Sequence, residues 1–156
     1  MKNILTLIFL TTILYSCKKE KGLPMAYVSE SEYEKCKELA LTKGDTSAYN
    51  TLSMDFFDSP NEGVFLYTAL IMANKYNYGR AYEDAYMCLT DAYHKKNYEE
   101  LDNLDSETKK LALNLLLRGV KANSKDCKSI LGHQYLSGKH LPKDKVKGKK
   151  LIAESY

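Results

Sequence analysis

The stretch Leu131–Asp144, "LGHQYLSGKHLPKD", decides how the chain is read. Just upstream and within it, Cys127, Leu131 and Tyr135 stand at i, i+4 and i+8, so they line one face of a helix. Gly138 can take positive φ and end that helix. Pro142 pre-sets φ where the next helix is expected to open, and Asp144 complements its N-terminal dipole. The stretch reads as a joint between two helices. His133 falls away from the Cys127–Leu131–Tyr135 face and is expected in solvent.

Working outward, the same column recurs twice. Ala48, Leu52 and Phe56 repeat the spacing, and so do Ala85, Leu89 and Tyr93. A small residue, then Leu, then an aromatic returns after 37 residues (Leu52 to Leu89) and again after 42 (Leu89 to Leu131). The residue after each Leu is also small: Ser53, Thr90 and Gly132. Small residues let a neighbouring helix approach closely, and the aromatic closes the far end of the contact.

Strand signals are scarce, whereas helical periodicity is frequent. Helices are predicted over about 31–42, 46–57 (capped by Asp45 or Thr46), 62–76, 80–95, 106–121 (capped by Ser106), 124–137 (capped by Ser124), and from Pro142 to the chain end. "DSPNEG" is read as a turn, and Gly44 and "NYG" as helix stops. The expected fold class is all-α. Antiparallel helix pairs stack as a short right-handed α-solenoid, about three pairs plus an N-terminal helix, because such units cannot bury their faces alone.

The last unit resembles a Sel-one-like repeat, a branch of the tetratricopeptide-type solenoids. The resemblance rests on Cys127, Leu131-Gly132, Tyr135, Gly138, Leu141, Pro142, Lys143, Asp144, Lys147 and Gly148. It covers about 30 residues, and the two earlier units keep only the column. His140 stands where that pattern has a second loop glycine, and Gly148 where it has alanine. His is enriched at positive φ among non-glycine residues, so His140 is read as a tolerated replacement. The resemblance implies a protein-binding scaffold.

The N-terminus reads as a targeting segment. Lys2 precedes the uncharged, mostly apolar run Ile4–Leu14, too short to span a bilayer but suited to a signal-peptide core. It ends in Leu14-Tyr15-Ser16-Cys17, which resembles a bacterial lipoprotein signal. That resemblance implies removal of residues 1–16 and lipidation of Cys17. Residues 17–28 are then a tether and 29–156 the helical domain, and stable anchoring needs more than one acyl chain, as such a Cys would carry. Lys18, rather than Asp, favours the outer membrane on the same resemblance. Cys36, Cys88 and Cys127 then remain in a disulfide-permissive compartment, and their odd number allows at most one internal bridge. They read as small buried residues in helices.

Net charge is +3, with Arg80 and Arg118 as the only arginines, so no nucleic-acid footprint is expected. Neither a phosphate-binding glycine loop nor a nucleophile motif occurs, and no cofactor or metal site is expected. The three histidines are read as surface residues, and Glu83/Asp84, Glu99/Glu100 and Asp102/Asp105 as solvated faces. The 13 tyrosines carry the functional lead. In "YNYGRAYEDAYMCLTDAY", Tyr78, Tyr82, Tyr86 and Tyr93 fall within an arc of about 80° at 100° per residue. Ala81, Ala85, Leu89 and Ala92 hold the adjacent, packing arc. The tyrosine side is either core or the border of a groove, with Asn74, Lys75, Asn77 and Arg80 flanking it. As a groove, Tyr78, Arg80, Tyr82, Tyr86 and Tyr93 are the partner-binding candidates, since Tyr offers area with a polar tip. The functional expectation is another protein bound at a bacterial envelope. An adaptor, an immunity-type binder and a ligand-capturing groove fit; nothing points to an envelope hydrolase.

Overall fold

The computed structural model describes residues 28–57, 62–95, 97–98 and 101–156. Cys17, the signal segment, most of the tether and positions 58–61 of the "DSPNEG" turn lie outside the described residues. All regular structure among the described residues is helical: α1 Glu30–Lys43, α2 Thr46–Phe57, α3 Glu62–Tyr76, α4 Gly79–Thr90, α5 Ala92–Lys95, α6 Ser106–Lys121, α7 Lys125–Ser137 and α8 Lys145–Ala153. None is long and apolar enough to cross a membrane.

Local chemistry sets the ends. Gly44 (φ 68°) and Gly138 (φ 72°) close α1 and α7 in the left-handed region, where a Cβ would be strained. Asp45 caps α2 by accepting from the Ala48 amide at 2.9 Å. Ser124 caps α7 by accepting from the Cys127 amide. Three expected ends move. Asp105, not Ser106, caps α6, because its carboxylate reaches both the Glu107 and Thr108 amides at 2.9 and 3.0 Å. Helix α8 opens at Lys145 rather than Pro142, with Asp144 accepting from the Lys147 amide. The helix expected to run to Lys95 breaks at Asp91, which adopts φ 53°, and resumes as the single turn α5. His140 does not take positive φ; among non-glycine described residues only Asn77, Asp91 and Asn123 do.

The helices pack in chain order, α1 on α2, α2 on α3, α3 on α4, α4 on α6, α6 on α7 and α7 on α8, with α1 also on α3 and α4 on α7. This is a short α-solenoid of helix pairs, α2/α3, α4/α6 and α7/α8, preceded by α1. The recurring column faces inward: Ala48, Leu52, Phe56, Ala85, Cys127 and Leu131 are buried, and Leu89, Tyr93 and Tyr135 pack half-buried against the core. Each fully buried Leu, such as Leu52 or Leu116, contributes about 1.5–3 kcal/mol. An aromatic group closes the first pair, with Phe65 stacked on Tyr49 (5.4 Å) and on Phe56 (4.7 Å).

Glycines set the closest approaches. A Cβ on Gly119 of α6 would collide with Cys127 of α7 and sit 3.0 Å from the Tyr82 Cβ of α4, so three helices meet there. Gly132 and Gly148 bring α7 and α8 backbone to backbone.

Candidate functional site

Helix α4 is the middle first-of-pair helix, flanked by α2 and α7. Its neighbouring carboxylates Glu83 and Asp84 look to either side. Contrary to the solvated face expected of them, Asp84 is buried and Glu83 is half-buried.

Asp84 is 1% exposed. Its Oδ2 accepts from the Tyr49 hydroxyl at 2.8 Å and the Ser53 hydroxyl at 3.2 Å, both on α2. Arg80 Nε lies 3.7 Å away, one turn earlier on α4. Burial pushes the Asp84 carboxyl up, while Tyr49, Arg80 and Ser53 pull it back, leaving it at about 6. Burial first, then the Asp84 charge, raises the Tyr49 phenol far above its ordinary value, so it stays a donor. The Tyr78 hydroxyl adds a second tie to α2, donating to Asn50 Oδ1 at 3.0 Å.

On the other side, Glu83 lines an open cleft of about 260 Å³ between α4 and α7, with Tyr98, Asp126, Ser129 and Ile130. Burial pushes the Glu83 carboxyl up to about 9; the Asp126 and Asp84 charges and a hydrogen bond shared with Asp126 add to this. This favours the protonated form of Glu83, the form that can donate toward Asp126. The Glu83–Asp126 contact links the second helix pair to the third. On the α2 side, the Arg80 side chain remains 45% exposed.

The tyrosine stripe divides. Tyr82 and Tyr86 are core residues, 2% and 0% exposed. The Tyr82 hydroxyl donates to Asn77 Oδ1 at 3.1 Å and accepts from Arg118 at 3.2 Å, with the Arg118 guanidinium 5.1 Å from its ring. The Tyr86 hydroxyl donates to the Tyr98 carbonyl. Neither ring is open to a partner. Tyr93 lies beyond the Asp91 break and packs on Phe57 at 4.6 Å. Of the partner-binding candidates, Tyr78 and Tyr93 are half-buried and Arg80 is exposed. The flanking polar residues are exposed but bonded within the chain, Asn74 by Arg118 and Lys75 by the Leu41 carbonyl.

His133 is exposed as expected. His140 is not: its side chain is 3% exposed, with Nδ1 3.7 Å from Asp102 Oδ1. Burial of the loop beneath α7 and α8 overrides the surface reading. No disulfide joins the described cysteines, and burial pushes the Cys127 thiol up to about 12. Among the described residues no group of His, Cys, Asp or Glu could hold a metal ion.

Sequence reasoning passed over Tyr49, Ser53 and Asp126. The available signal was angular: Asp84 sits about 60° from Ala81 on the wheel, on the packing arc, and one turn after Arg80. Fold and site together define a short stack of helix pairs whose first helices, α2 and α7, meet α4 at its neighbouring carboxyls Asp84 and Glu83. No family model matches the chain, and neither a curated protein nor a solved structure matches it.

Proposed function

We propose that this chain is a lipid-anchored protein–protein interaction module of the bacterial envelope, an adaptor or an immunity-type binder rather than an enzyme, held at the outer membrane through Cys17. The observation that carries the reading is the α4–α7 cleft, open between two stacked helix pairs and lined by Glu83, Tyr98, Asp126, Ser129 and Ile130. Stacked helix pairs offer an extended face that single globular domains lack. Asp126 is exposed in the cleft and Arg80 is exposed on the α2 side of α4, opposite charges that suit a polar, sequence-specific contact. Burial of Tyr82 and Tyr86 removes the aromatic lining that the ligand-capturing alternative requires. Leu14, Ser16 and Cys17 support the anchor.

The test is affinity capture of the full chain from detergent-extracted envelopes. Wild type is expected to retain a partner that Arg80→Glu plus Asp126→Lys releases, with helicity unchanged. Retention of the same proteins by both forms would sink the proposed face. Cys17→Ser is expected to abolish acylation and membrane retention; an acylated, membrane-bound variant would remove the anchor from the reading.

A further inference from the structure

The positive charge of this chain is not spread evenly. Residues 139–156 hold Lys139, Lys143, Lys145, Lys147, Lys149 and Lys150 against Asp144 and Glu154, an excess of four, whereas the whole chain carries +3. The remainder is slightly acidic. Three of these lysines have local partners: Lys139 meets Asp102 at 2.6 Å, Lys147 the Tyr135 hydroxyl at 2.7 Å, and Lys150 Glu154 at 3.9 Å. Lys143, Lys145 and Lys149 meet no acceptor among the described residues.

The same unit carries the two most exposed large apolar side chains described, Val146 at 82% and Tyr156 at 93%. Helix α8 turns Gly148 and Leu151 inward. Its outer face then holds Val146, Lys149, Lys150 and Ala153 within an arc of about 100°. No helix among the described residues covers this face.

We infer that the outer face of α8 docks on an anionic membrane surface, with lysines on lipid phosphates and Val146 at headgroup depth. This rests on the proposed lipid anchor, which keeps the domain beside a bilayer. Lysine is depleted at protein–protein interfaces, whereas clustered lysine with an apolar residue suits a lipid surface. The span from Cys17 to Glu30 reaches at most about 45 Å, so the anchor holds the start of the domain within that distance of the membrane. Docking α8 leaves the Glu83–Asp126 cleft on another part of the stack.

The acylated full chain is bound to vesicles of phosphatidylcholine alone or mixed with phosphatidylglycerol. Its lysines are then labelled with a water-soluble acylating reagent and read by mass spectrometry. Lys149 and Lys150 are expected to label at least about fivefold less on the anionic vesicles, the factor that one lysine near an anionic surface supplies. Lys110 on α6 is the unchanged control. The difference is expected to vanish in about 1 M salt, where screening extends over only about 3 Å. Equal labelling on both vesicle types overturns the inference. So does protection on neutral vesicles by added polyglutamate alone, which assigns the face to an acidic protein. A chain that floats only with anionic vesicles keeps the lysine face and removes the lipid anchor; one that floats with neither removes both.

Discussion

Replacing Gly148 with alanine sets helix propensity against packing. Inside a helix, alanine is worth about 1 kcal/mol over glycine, so propensity alone forecasts a gain. The structure forecasts a loss. The new Cβ would stand 2.8 Å from the Gly132 carbonyl oxygen and 2.9 Å from Leu136 Cδ2. Leu136 can change rotamer, but the Gly132 oxygen is helical backbone and moves only with α7. Such overpacking costs about 1–3 kcal/mol, which leaves a net loss of about 1 kcal/mol. In a domain of this size that lowers Tm by about 3–6 °C. The assay is thermal unfolding of the detergent-solubilised full chain, followed by circular dichroism. A Tm that rises would refute the close α7–α8 approach. Alanine is also the residue that the resembled repeat pattern carries there, so tolerance would mean that α8 can sit farther out than it does. Gly148→Ala combined with Leu136→Ala is expected to recover none of the clash with the Gly132 carbonyl.

Three further outcomes are expected. Glu83 has a folded pKa of about 9 against an ordinary value of 4.5, so folding holds a proton between those limits. Its stabilisation is complete below about pH 4.5 and lost as pH rises through about 9. Glu83→Gln, which keeps a donor for Asp126, should flatten the decline between about pH 6 and 9 in denaturant titrations; an unchanged slope counts against a protonated Glu83. Tyr49→Phe removes a donor to buried Asp84 and should cost about 1–3 kcal/mol, measured by urea unfolding, with a loss below about 0.5 kcal/mol arguing against the bond. Leu131→Ala, in the third recurrence of the column, should cost about 2–5 kcal/mol by the same measurement, and a near-neutral result would place that residue outside the core.

Much of the fold was legible because helix pairs are written in local signals. The small–Leu–aromatic column identified the first helix of each pair, and Gly44, Gly138, Asp45 and Ser124 marked ends through their own backbone chemistry. The misplaced ends share a cause. Asp105 and Ser106 are both good caps, and Pro142 and Asp144 are both good openers, so which one serves depends on where the chain enters the helix. The break at Asp91 needed a left-handed residue in an otherwise periodic segment.

The candidate site was harder to read. A stripe of tyrosines has the same periodicity whether it lines a groove or fills a core, because Tyr is amphipathic. Only the arrival of α6, bringing Arg118 against Tyr82, and of the loop carrying Tyr98, against Tyr86, made those rings interior. Likewise Glu83 and Asp84 look like a solvated pair until α7 and α2 close on them.

By itself, then, the sequence determined the class of fold, the spacing of the helix pairs and the inward column, since these follow from periodicity and turn chemistry within a few residues. The tertiary structure alone decided which polar groups are buried and what they meet. Burial and charge pairing join residues about 30 to 45 positions apart, and no local pattern carries that distance.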